Sequence, residues 1–230
     1  MIFDAGRVVA LNLKDGKPIW LSGNTYHPGY ATPVIFQSGA DTILTSFGGK
    51  GFSLIHAASG REIAHYPFKT QYNMTATDPL VSEIGEYIFI SAISQGELLR
   101  FDGTKLTSVW QSKRMRNSMN ICALRDGHLF GIDGKHKSSR SRFTCIRFND
   151  GEELWSKENY GYGTILTVDD ILLVLSESGD LVAVEPSLEG YRELGRKSVL
   201  DSICWTPPSL SGKRVFLRND MGRAVCLQLP

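Results

Sequence analysis

Apolar and polar residues alternate in short runs along almost the whole chain, and the runs recur in a fixed order. Within residues 7–20, Val9, Leu11 and Leu13 alternate with Ala10 and Asn12, the period-two pattern of a strand. Asp15-Gly16 then supplies a tight turn in which glycine tolerates positive φ, and Ile19 and Trp20 follow on a returning strand. The same hairpin is legible in residues 51–64, 98–110, 142–155 and 180–194, and its first half again in 222–229. Anchored on Val9, Phe52, Leu99, Thr144, Val182 and Val225, the recurrence falls every 38 to 47 residues, a period that marks a repeat architecture.

Two further strands precede each hairpin. Thr32-Pro33-Val34-Ile35-Phe36 leads through Gly39 to Thr42-Ile43-Leu44-Thr45-Ser46, and Asp78-Pro79-Leu80-Val81 precedes Tyr87-Ile88-Phe89-Ile90. Cys122-Ala123-Leu124 passes Asp126-Gly127 into His128-Leu129-Phe130-Gly131, and Thr206-Pro207-Pro208 precedes Val215-Phe216-Leu217. Four short antiparallel strands per unit, with no ten-residue helical period, predict an all-β chain, a β-propeller of four-stranded antiparallel blades. A sandwich or a barrel would not require near-identical four-strand units at this spacing. The units fall near 1–22, 30–68, 75–112, 119–157, 162–196 and 202–230, read as one partial propeller domain of about five and a half blades.

The hairpins carry a finer pattern. Ala10, Asn12, Asp15, Gly16, Lys17 and Trp20 resemble the tryptophan-docking motif of the eight-bladed quinoprotein alcohol dehydrogenase-like (PQQ-repeat) propellers, and Cys145, Arg147, Asp150, Gly151 and Trp155 repeat its spacing. Arg100, Asp102 and Trp110 keep the acid and the indole but lose the small residue and the turn glycine. An indole is a large apolar surface with one donor, so it staples one blade to the next where a small residue leaves room. Ile63 or Ala64 stands in the tryptophan place of the second unit and Glu193 in that of the fifth, which predicts looser junctions there.

The chain is also similar to the propeller lipoprotein family of the outer-membrane β-barrel assembly machinery. That resemblance implies a bacterial protein of the periplasm or another extracytoplasmic compartment. Eight-bladed relatives have more strands than the 22 expected here, which implies a chain shortened at its N-terminus, with a closed six-blade ring as the rival. No leader with a basic and an apolar region stands at Met1, and no apolar run approaches the ~20 residues of a transmembrane segment. An open arc would expose blade edges and favour a dimer.

Composition narrows this only modestly. Hydrophobic residues are 42%, charged residues 21% and the formal net charge is +1, so the chain can build a core and carries no global field aimed at nucleic acid. Cys122, Cys145, Cys204 and Cys226 show no metal-ligand spacing, and Cys145 and Cys226 lie in apolar alternating runs, as buried structural thiols do. His27, His56, His65, His128 and His136 fall in different units or connections without HxH or HxxxH spacing, which argues against a metal site. Asp169-Asp170 and Glu152-Glu153 sit at turns, and strand neighbours point to opposite faces, so neither pair converges on a substrate. No residue is assigned a catalytic or metal-binding role.

One charge feature is local. Lys113, Arg114 and Arg116 follow the third unit, and Lys135, Lys137, Arg140 and Arg142 lie with His136 between the second and third strands of the fourth. In a four-strand meander these two connections emerge on the same rim, so seven fixed positive charges are expected on one face. The first functional reading is a non-catalytic scaffold, without cofactor, that binds a protein or an anionic partner through that loop face. The alternative, implied by the resemblance, is a dehydrogenase-like enzyme that oxidises an alcohol or sugar with PQQ and calcium. Trp205, placed on a first strand near the channel, is the aromatic residue to inspect under that alternative.

Overall fold

The computed structural model describes residues 1–23, 27 and 29–229. Among them are 22 strands in six antiparallel sheets, and in every sheet consecutive strands are neighbours. The first sheet holds β1 (Ile2–Asp4), β2 (Val8–Leu11) and β3 (Pro18–Leu21). The second holds β4 (Ile35–Ser38), β5 (Asp41–Gly48), β6 (Gly51–His56) and β7 (Glu62–Tyr66), and the third β8 (Leu80–Val81), β9 (Tyr87–Ala92), β10 (Gln95–Phe101) and β11 (Leu106–Ser112). The fourth holds β12 (Ala123–Arg125), β13 (His128–Asp133), β14 (Arg142–Arg147) and β15 (Glu153–Lys157). The fifth holds β16 (Gly163–Val168), β17 (Ile171–Ser176), β18 (Asp180–Glu185) and β19 (Arg192–Ser198), and the sixth β20 (Ser209–Ser211), β21 (Arg214–Arg218) and β22 (Ala224–Gln228). The fold class is an all-β propeller, each sheet a blade; the helical content among the described residues is one short 3-10 turn, Gln71–Asn73.

Two compact units divide the chain, Met1–Ser112 and Lys113–Pro230. Within the first, Val8, Leu44 and Ile55 bury against Ile2 and Trp20, and a larger cluster joins Ile43, Phe52 and Leu54 of the second sheet to Ile88, Leu99 and Phe101 of the third. Within the other, Phe130, Phe143 and Cys145 pack on Ile165, Leu172 and Val174, while Leu173, Leu175 and Cys204 pack on Val215 and Leu217. Apolar residues from facing sheets therefore meet in pairs of layers, as blade stacking requires.

Five hairpins share one irregularity. The register slips immediately after Ala10, Leu54, Leu98, Cys145 and Ala183, whose cross-strand partners are Trp20, Ala64, Trp110, Trp155 and Gly195. A bulge at that point twists the outer strand and re-aims its side chains. The Trp20 indole donates to the Ala57 carbonyl of the second sheet at 2.9 Å, and Trp155 donates to the Ser187 carbonyl of the fifth at 3.0 Å. Trp110 lies beside Phe89, ring centroids 5.6 Å apart.

The register corrects several sequence expectations. Of the two expected candidates, Ile63 and Ala64, it is Ala64 that occupies the position Trp20 holds in the first sheet, while in the fifth sheet that position is Gly195 rather than Glu193. The third hairpin does have a turn glycine: Gly103 sits at φ +94°, one residue after Asp102. Asp102 accepts from Thr104 N–H, Thr104 Oγ1–H and Lys105 N–H, and those donors hold its carboxyl down at about 2. The last sheet begins at Ser209, after Thr206-Pro207-Pro208, because proline offers no donor to a ladder. Cys122, Cys145 and Cys204 are buried, and burial pushes the Cys122 and Cys145 thiols up to about 12; Cys226 is exposed on β22.

Gly60 shows how closely the first two sheets approach. It adopts φ +73°, and a Cβ there would be driven into the Trp20 ring. Gly60→Ala should therefore cost more than about 1 kcal/mol, from strained backbone and a displaced indole together. Urea denaturation checks this; a variant as stable as wild type would mean that Trp20 does not depend on the close approach.

Candidate binding face of the fourth and fifth sheets

The connections 113–122 and 134–141, flanking the fourth sheet, are organised around one buried carboxylate. Asp133 ends β13 with its side chain 1% exposed. It accepts from the Arg116 backbone N–H at 2.8 Å, from Arg116 Nε and Nη2 at 2.9 Å each, and from Arg142 Nη2 at 2.9 Å. Burial alone would raise its carboxyl, but the hydrogen bonds from Arg116 and Arg142 outweigh this and hold it below the usual range. Arg142 also reaches Glu153 at 3.5 Å and Glu158 at 3.6 Å, and Arg114 reaches Glu153 at 3.1 Å.

Of the seven basic residues singled out in the sequence, Arg114, Arg116 and Arg142 are thus spent on internal carboxylates. Lys113, Lys135, Lys137 and Arg140 are exposed, and their side chains have no carboxylate partner among the described residues. The loop that presents three of them is itself anchored. The Ser141 hydroxyl donates to the Lys135 carbonyl at 3.1 Å, and the Lys137 backbone N–H donates to Glu177 at 2.8 Å.

Beside this loop lies an open cleft of about 410 Å³, lined by Lys137, Ser138, Ser139, Tyr160, Ser178 and Arg196 among others. Glu177 forms one wall and also accepts from the Trp205 indole at 2.7 Å. Trp205 lies outside the strands, in the connection before β20, and meets the His136 ring edge-on at 5.4 Å. His136 in turn packs on Tyr162, whose hydroxyl burial pushes up and whose oxygen accepts from Met119 N–H at 2.9 Å. Arg196 is held by Glu193 at 3.0 Å and Asp180 at 3.1 Å. Lysine, arginine and serine hydroxyls make a donor set suited to an anion; calcium needs several converging oxygens, and Glu177 is already committed to two donors, so the lining does not fit that ion. Among the described residues no three His, Cys, Asp or Glu side chains group as metal ligands.

Two buried carboxylates escaped the sequence reading. Asp133 is the last residue of the apolar strand β13, and Glu97 sits 1% exposed within β10, accepting from Tyr66 Oη at 2.5 Å, Gln111 at 2.8 Å and Gln95 at 3.2 Å. An acid at an inward position of an apolar strand was the available signal. The docking residues lie in β2, β3, β11, β14 and β15 (Ala10, Trp20, Trp110, Cys145, Trp155) or in the hairpin turns (Gly16, Asp102, Gly151), and none of them lines this cleft.

A family model described as outer membrane protein assembly factor BamB matches residues 1–157. Among solved structures, BamB from Moraxella catarrhalis is similar over 99% of this chain and 80% of its own, with 15% identity and a TM-score of 0.56. A chain of the mitotic checkpoint complex is similar over 99% and 70%, with 7% identity and a TM-score of 0.71. The computationally designed protein Ika8 is similar over 98% and 79%, with 7% identity and a TM-score of 0.60. No curated protein matches. At these identities the solved structures speak for the propeller fold alone.

Proposed function

The chain belongs to the family of the outer membrane protein assembly factor BamB, and from that membership we propose that it is a non-catalytic scaffold that holds an acidic polypeptide segment on the loop face of its fourth and fifth sheets. One observation carries the choice of face: Lys113, Lys135, Lys137 and Arg140 remain exposed and uncompensated beside three arginines that are neutralised internally. Hydrogen bonds to Lys135 and Lys137 hold the loop backbone, so binding does not have to order the backbone that carries the free cations. The family name places BamB in outer-membrane assembly, and a periplasmic location for this chain is part of the same proposal. Among the described residues no helix is long and apolar enough to cross a membrane.

A labelled glutamate-rich peptide tests the face directly. Wild-type protein should bind it in low salt and release it as salt rises, since exposed charges are screened beyond about 10 Å at 0.1 M. The triple variant Lys135→Glu, Lys137→Glu, Arg140→Glu should associate on the order of tenfold more slowly. Equal association rates for the two proteins would overturn the assignment of this face.

A further inference from the structure

In two of the blade junctions an indole closes the space between neighbours. Trp20 crosses from the first sheet to the Ala57 carbonyl and the Gly60 face of the second, and Trp155 crosses from the fourth to the Ser187 carbonyl of the fifth. In each case the ring reaches the turn between the third and fourth strands of the next sheet. The second sheet has the same bulged hairpin, with Leu54 opposite Ala64, but its side chain ends at a methyl.

A cleft of about 350 Å³ lies at that place. It is bounded by Ser38, Asp41, Arg61 and Ile63 on the side of the second sheet and by Gly103 and Thr104, the corresponding turn of the third. The buried Ile43 and Phe101 lie beneath a lining that is otherwise mostly polar. Arg61 stands at the mouth, where a guanidinium can cover the face of an aromatic ring.

We propose that this cleft is a receptor site for an indole ring supplied from outside the chain, in the place that Trp20 and Trp155 fill from within. The Arg61 cation, which can cover a ring face, and the Asp41 carboxylate, which can accept from a ring N–H, favour a flat aromatic with one donor over an aliphatic group. The inference concerns a different unit from the basic loop face and does not depend on the scaffold reading.

Fluorine NMR with fluoroindole and with the N-acetyl amide of fluorotryptophan tests it on the whole chain. Wild-type protein should shift and broaden at least one probe in a saturable way, whereas the leucine amide should not compete. Stronger binding of the amide identifies a tryptophan side chain of another polypeptide as the source; stronger binding of fluoroindole identifies a free small molecule. Ala64→Trp should fill the cleft and abolish the effect while keeping the thermal midpoint at or above that of wild type. If Ala64→Trp fails to fold, Arg61→Ala decides the matter: it should weaken binding by roughly threefold through the lost cation–π contact. No saturable binding to wild type, undiminished binding to folded Ala64→Trp, or undiminished binding to Arg61→Ala would each remove the site.

Discussion

Asp133→Ala should lower the stability of the unit that begins at Lys113 by about 3 kcal/mol, near the lower end of the range for breaking a buried ion pair. The substitution strips Arg116 of three hydrogen bonds and Arg142 of one, and leaves two guanidinium groups facing each other across the vacated position. Arg116 keeps 39% exposure and Arg142 keeps 17%, so water recovers part of the loss, which is why the lower end applies. Asp133→Asn keeps the shape and one acceptor, and its cost should be smaller. The pH dependence has a definite sign. A carboxyl held below its unfolded value of about 3.9 contributes its full stability above that value and loses it as pH falls through the lower folded value. Urea titrations at neutral and strongly acid pH should therefore show the gap between wild type and Asp133→Asn narrowing in acid. A gap independent of pH would mean that the carboxylate is not ionised in the folded protein.

Trp155→Ala should cost about 3–4 kcal/mol. Its ring stacks on Phe143 at 5.9 Å and 12°, lies 6.2 Å from Phe130, and spends its single donor on the Ser187 carbonyl of the neighbouring sheet. Removing it opens a void between two sheets and orphans that carbonyl. Trp155→Phe separates the two contributions, because most of the apolar contact stays and only the donor goes; a cost near 1 kcal/mol is expected. Denaturant midpoints for the three proteins give the comparison. If alanine and phenylalanine cost the same, ring packing contributes nothing and the clamp is a hydrogen bond alone.

The blades were legible because their information is local. Alternation, a turn glycine and a returning tryptophan all fall within some fifteen consecutive residues, and each hairpin of the sequence reading matches a pair of strands. What misled was loop length. From Ala183 to Gly195 the hairpin is two residues longer than from Ala10 to Trp20, so counting at fixed spacing landed on Glu193. The same extra length in the third hairpin pairs Leu98 with Trp110 and hid the role of Gly103.

The basic face was legible only in part. Charges can be counted along a sequence, but their compensation depends on which carboxylates the fold delivers to them. Asp133 stands at the end of β13 and meets Arg116 from the preceding connection and Arg142 from the next strand. Nothing in their spacing marks those partners, even though an acid closing an apolar strand marks Asp133 itself. Trp205 stands out in the sequence as an aromatic outside the docking position; its bond to Glu177 and contact with His136 bring together three separate connections.

The meander of every sheet bears on how the chain reaches its native state. Each ladder joins strands that are adjacent in sequence, so no pairing has to wait for distant segments to find each other. Closing short loops sacrifices little chain entropy, and proteins rich in such contacts order quickly for their size. Each ladder can therefore form as soon as its own residues are available, while its apolar faces are covered only when the next sheet stacks against them.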